Sequence, residues 1–111
     1  MGDTLQVQLF LIRLKQIWKT PQRITLSSRT KNLQSMASLN ITMTDVKEMC
    51  LTLKPADRYA GPLAHDRGFP GEVWIFTPLF RGTKMYLKFW LQSHHGEDHI
   101  EIISCHEEGM I

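Results

Sequence analysis

From Lys84 to Leu91 the chain alternates with period two: Met85, Leu87, Phe89 and Leu91 fall on one side, and Tyr86, Lys88 and Trp90 on the other. That spacing predicts a strand with one buried face and an opposite face carrying a phenol, an ammonium and an indole. Two further stretches, Glu72 to Phe80 and His99 to Glu107, read as strands, and the links at Arg81 to Thr83 and Ser93 to Asp98 are short and turn-like. Strands joined in this way pair antiparallel as a meander.

The first half of the chain follows the helical period instead. Leu11, Leu14, Ile17 and Trp18 recur at helical spacing until Pro21 stops the run. Upstream, Leu5, Val7, Leu9 and Leu11 alternate, so a short strand and a helical extension both fit. Ser28 or Thr30 can cap a second helix, with Leu33, Met36, Ala37 and Leu39 as its apolar positions. Thr42, with Asp45 three residues on, is the signature of a capping box opening a third helix through Val46, Met49, Cys50 and Leu53, which Pro55 closes. Ala56 to Pro70, with two glycine-containing turns, reads as a loop. Helices first and strands later predict an α+β domain over residues 1–111, with helices packed on one face of a small antiparallel sheet and the other face free.

Composition narrows the class without naming a function. In 111 residues, 42% hydrophobic and 22% charged are the proportions of an ordinary globular chain, not of a disordered or fibrous one. The net charge of +2 is small but uneven: Arg13, Lys15, Lys19, Arg23, Arg29 and Lys31 stand against the lone acid Asp3, while Glu97 to Glu108 carries five acids and no Lys or Arg. A basic amino-terminal third suits an anionic partner such as nucleic acid, and equally a solvated helix face. Cys50 and Cys105 lie in apolar runs with no CxxC, which predicts buried, reduced thiols and a cytoplasmic location. The apolar segment LQVQLFLIRLKQIW is interrupted by Arg13 and Lys15 and is too short to span a bilayer, so no membrane partner is expected.

Among residues that could carry chemistry, His94, His95 and His99 crowd one turn with Glu97 and Asp98. A short turn converges three such side chains on one ion poorly, so no metal and no cofactor is expected. Cys105 and His106 are adjacent in a strand and point to opposite faces, which prevents a nucleophile and base pair. GPLAHDRG lacks the spacing of a phosphate-binding loop. Tyr86, Lys88 and His106 remain, the last ending a strand that can lie beside the Tyr86 strand. Metal-free RNA cleavage needs a base for the ribose 2′-hydroxyl, a cation for the phosphorane-like transition state and an acid for the departing 5′-oxygen. A phenol, an ammonium and an imidazole can supply these, and the same three residues also fit an idle strand face.

The run RTKNLQSMASLNITMTDVKEMCLTLKPADRYAGP, then VWIF, MYLKFWL and IEIISCHEEGM, resembles in order and spacing the MqsR-type toxins of bacterial toxin-antitoxin modules, over about Leu14 to Met110. The resemblance implies a RelE-like fold, a metal-independent endoribonuclease cutting messenger RNA free or on the ribosome, and a cognate antitoxin that also binds DNA. Tyr86 and Lys88 match the family's Tyr-x-Lys strand, with Tyr86 as the catalytic tyrosine, and His106, after Ser104 and Cys105, matches its closing Lys or His as general acid or base. Tyr59, Gly61 and Pro62 match the loop after the third helix. Ala60 stands where some members carry a lysine, and a glutamine of some members has no counterpart near Val73. Arg58, Arg67, Arg81 and Lys84 are therefore the substitute phosphate-binding candidates, and a non-catalytic RNA- or protein-binding module of the same fold is the alternative.

Overall fold

The computed structural model describes residues 2–110. Its helices are α1 (Gly2–Ile17), α2 (Thr30–Leu39) and α3 (Met43–Leu51), and its strands are β1 (Ile24–Leu26), β2 (Arg58–Leu63), β3 (Glu72–Phe76), β4 (Leu79–Phe80), β5 (Thr83–His94) and β6 (Glu97–Glu107). The sheet order is β1-β6-β5-β3-β2, with β4 attached to β5. Every pairing is antiparallel except that of β1 with β6. The class is α+β, as the order of periodicities predicts.

The ambiguous Leu5 to Leu11 stretch is helical. Helical spacing brings Val7, Phe10, Leu11 and Leu14 together in the core and leaves Leu5, Leu9 and Ile12 about half exposed. Across the interface Phe10 stacks on Trp74 at 4.8 Å and lies 5.8 Å from Phe76 and 5.7 Å from Phe89. Val46, Met49 and Cys50 of α3 join the same cluster with Met85, Leu87 and Leu91. The expected capping box is present: the Thr42 amide donates to Asp45 Oδ2 at 2.9 Å, and the Asp45 amide donates to Thr42 Oγ1 at 3.3 Å. Those contacts, that of the Thr42 backbone first, hold the Asp45 carboxyl below the usual carboxylate range, and Arg81 adds to them.

Three expectations change. The second helix is not capped by a Ser28 or Thr30 side chain; Arg29 holds its cap position without a side-chain hydrogen bond. Its fully buried residues are Asn32 and Ser35, whereas Leu33 is 54% exposed and only Met36 and Leu39 reach the core. The cause is that α2 abuts the edge of β6, where it must satisfy backbone groups rather than fill an apolar layer. The stretch Ala56 to Pro70 is a loop only in part, because β2 pairs with β3 through two register irregularities that blur its period. Glu72 to Phe80 is two strands, broken at Thr77 and Pro78.

Both tight hairpins have central residues in the left-handed region: Arg81 and Gly82 at φ 51° and 82°, His95 and Gly96 at φ 53° and 80°. That is the two-residue turn whose twist suits antiparallel strands. Cys50 and Cys105 are free and buried, as expected from their apolar surroundings. No helix among the described residues is long and apolar enough to cross a membrane.

Candidate functional site

The face of the sheet away from α1 and α3 carries Tyr86, Lys88 and Trp90, as the alternation of β5 requires. Their cross-strand neighbours decide the chemistry. Tyr86 pairs with His106, Lys88 with Ser104 and with Ile75, and Trp90 with Glu101 and with Val73.

His106 reaches this face because of one irregularity. Ile100 and Ile102 face the core opposite Leu91 and Phe89, so regular alternation would also send Ser104 and His106 inward. Between Phe89↔Ile102 and Lys88↔Ser104 the register shifts, and Ile103 is the extra residue. The bulge inverts the phase: Cys105 enters the core opposite Leu87, and Ser104 and His106 emerge opposite Lys88 and Tyr86. Asn32 braces that segment from α2. Its Nδ2 donates to the carbonyls of Ser27 at 2.9 Å and Ile103 at 3.0 Å, and its Oδ1 accepts from the Cys105 amide at 2.8 Å. Ser35 Oγ accepts from the Glu107 amide at 3.0 Å. Together they take over the β6 edge where β1 ends.

Tyr86 and His106 lie ring on ring, with centroids 5.3 Å apart and planes inclined by 18°. His106 Nδ1 is 2.8 Å from the Glu107 carbonyl. A carbonyl only accepts, so Nδ1 holds its proton there and Nε2 is the nitrogen left for another partner. His106 is 5% exposed, and Tyr86 is the more open of the two. Burial raises the Tyr86 phenol above its ordinary pKa, Tyr59 adds to this, and Arg29 opposes it. A phenol is protonated near neutrality at its ordinary pKa, and the upward shift leaves it so, as a proton donor rather than a base. A hollow of about 310 Å³ opens beside Tyr86, lined by Tyr59, Thr77 and Glu108.

The larger feature is a cleft of about 640 Å³ next to this pair. Lys88, Trp90, Glu101 and Ile103 form its floor with Val73 and Ile75; residues 63–67 and Phe69 form one wall, and Ser27 and Arg29 the other. Val73 and Ile75 are buried although they lie outside the main core, so the sheet face expected to be free is partly roofed. His65 packs on Trp90 at 4.6 Å, Phe69 stacks on Trp90 at 5.8 Å, and the Trp90 indole N–H donates to the Pro70 carbonyl at 2.9 Å. Gly71 permits that approach: at φ 110° a Cβ there would collide with the Leu91 carbonyl and lie 2.9 Å from the Trp90 indole nitrogen.

The candidate phosphate-binding residues are dispersed. Arg67 lines the cleft. Arg58 donates to the Gly61 carbonyl at 3.2 Å and braces β2. Lys84 lies 3.5 Å from Glu108, beyond Tyr86 along β5. Arg81 is 2.7 Å from Asp45 at the start of α3 and is directed at the helix layer, away from the cleft. Arg29, which no spacing or motif distinguishes from the other basic residues, is in the site: it lines the cleft and donates to Ser104 Oγ at 3.4 Å. Among the described residues, the salt bridges use none of Arg29, Arg67, Lys88 or Glu101.

The histidine-rich turn is separate. His94 and His99 meet edge-on at 5.1 Å and His94 bonds Gln92 at 2.8 Å. Among the described residues no three His, Cys, Asp or Glu side chains gather where one metal ion could sit. Comparison of the chain with protein-family models, with curated proteins and with solved structures gives no match.

Proposed function

We propose that this protein is a RelE-like, MqsR-type endoribonuclease that cuts messenger RNA through attack of the ribose 2′-hydroxyl, works in the cytoplasm, and is held inactive by a cognate antitoxin. One juxtaposition carries the reading: the stacked Tyr86 and His106 pair shares a sheet face with Lys88, and Arg29 reaches over that face from the start of α2 to Ser104, neither cation having a carboxylate partner among the described residues.

In this mechanism His106 Nε2 takes the proton of the 2′-hydroxyl while its Nδ1 stays bonded to the Glu107 carbonyl. The 2′-oxygen bonds to phosphorus, and charge on the non-bridging oxygens is met by Lys88 and Arg29. The bond from phosphorus to the 5′-oxygen breaks, and the protonated Tyr86 phenol donates to that oxygen. The products are a 2′,3′-cyclic phosphate and a 5′-hydroxyl. Tyr86→Phe removes the acid and His106→Ala the base, so each is expected to lower cleavage by about a hundredfold or more. Unchanged release of cyclic-phosphate ends by both variants overturns the assignment. Full activity in excess chelator is expected, and its loss would point to metal-assisted hydrolysis instead.

The 5% exposure of His106 favours a second reading, a non-catalytic RNA- or protein-binding module of the same fold. It predicts RNA binding without cyclic-phosphate ends, even with ribosomes present.

A further inference from the structure

We infer that the cleft beneath residues 63–70 selects the base flanking the scissile phosphate, and that Glu101 biases the choice toward guanine. The inference rests on the RNA-cleaving reading above and adds to it a specificity subsite.

The cleft lies beside the Tyr86 and His106 pair, not on it, because Lys88 and Trp90 are displaced from Tyr86 along β5. An RNA strand with its phosphate at Tyr86 therefore lays a neighbouring nucleotide over Lys88 and into the cleft. The cleft is aromatic there: Phe69 in its wall is half exposed, and Trp90 in its floor is held in place by His65 and by its own hydrogen bond to Pro70. Unpaired bases are bound against such side chains and read along their hydrogen-bonding edges. The edge reader available is Glu101. It is directly opposite Trp90, lines the cleft, is partly buried, and takes part in no salt bridge among the described residues, although Lys88 and Arg29 line the same cleft.

A carboxylate has acceptors only. Guanine offers two adjacent donors, N1–H and the 2-amino group, which match its two oxygens. Adenine and cytosine place a ring-nitrogen lone pair beside their amino group, and uracil has one N–H between two carbonyls, so each sets an acceptor against the carboxylate. Lys88 and Arg29 are then left for the scissile phosphate beside the bound base.

The test uses cleavage-resistant 2′-O-methyl oligouridylates carrying a single guanine, adenine, cytosine or hypoxanthine, with binding followed by fluorescence anisotropy. The wild-type chain is expected to bind the guanine oligonucleotide about tenfold more tightly than oligouridylate. Hypoxanthine, which keeps N1–H and lacks the 2-amino group, should fall between. Glu101→Gln should bring guanine and uracil to within about twofold, with oligouridylate bound at least as tightly as by the wild type, and an unchanged circular dichroism spectrum reports that the variant is folded. Lys88→Ala should weaken all sequences alike. If the wild type binds every sequence equally, or its guanine preference survives Glu101→Gln, the inference is overturned and RNA binding stands. If the wild type binds none of these RNAs, the RNA reading and the inference fall together.

Discussion

Leu87 and Lys88 are adjacent, yet one is wholly buried among the helices and the other lies in the cleft. Leu87→Asp would place a carboxylate in the apolar layer, at a cost of several kcal/mol, comparable with the whole stability of a small domain. Loss of the cooperative thermal transition is the expected result by circular dichroism. Lys88→Ala should change stability by less than about 0.5 kcal/mol and act on RNA binding and cleavage instead. The buried thiols give a second residue-scale prediction, because burial pushes Cys50 up to about 12 and Cys105 up to about 11 from an ordinary 9.0. Below pH 9 both thiols are protonated whether the chain is folded or not, and stability is unaffected. Above it the unfolded chain releases protons that the folded chain retains, so stability falls as pH rises, by about 2 kcal/mol per thiol at about pH 10.5. Urea titrations across that range should show a shallower decline in Cys50→Ala than in the wild type.

Elements with an apolar face were legible from spacing, apart from the Leu5 to Leu11 half of α1, where period two and the helical period both fit. α1, α3 and β5 bury Leu14, Val46, Met49, Leu87 and Phe89, all at positions their periods point to. α2 was legible as a helix but not in its buried face, which is Asn32 and Ser35, because three of their four backbone partners are more than 70 residues away. β2 was missed because its bulges and Pro62 mask a strand period. The candidate pair was legible only as proximity: Tyr86 could be placed by alternation, whereas His106 owes its side of the sheet to Ile103, a residue that looks like any other in an apolar run. Asn32→Leu tests that account. It deprives two carbonyls and one amide of their bonds, so a loss of at least about 2 kcal/mol is expected in urea unfolding. Because the same bonds hold the bulge, the Tyr86 and His106 ring resonances should shift in the folded variant. Unchanged ring resonances would show that β5 pairing alone sets the His106 position.

At the scale of the whole molecule, the basic bias of the amino-terminal third is not a single binding surface. Arg13 and Arg23 are paired with Asp98 and Glu97 at the β5 to β6 turn, and Arg81 with Asp45 at α3, so these cations fasten the sheet to its helices. Exposed pairs of this kind contribute little to stability individually. Arg29, Arg67 and Lys88 are instead gathered around the cleft, without carboxylate partners among the described residues. If they are the phosphate contacts, single-stranded RNA affinity should fall with salt at a logarithmic slope of about −2, since each phosphate neutralised contributes about −0.7. Arg67→Ala should make the slope shallower by about 0.7, and Arg81→Ala, directed at the helix layer, should leave it unchanged. Equal effects from the two substitutions would mean that RNA senses only the overall charge of the protein. A difference confined to Arg67 would locate the binding track on the cleft face, where Tyr86 and His106 are stacked.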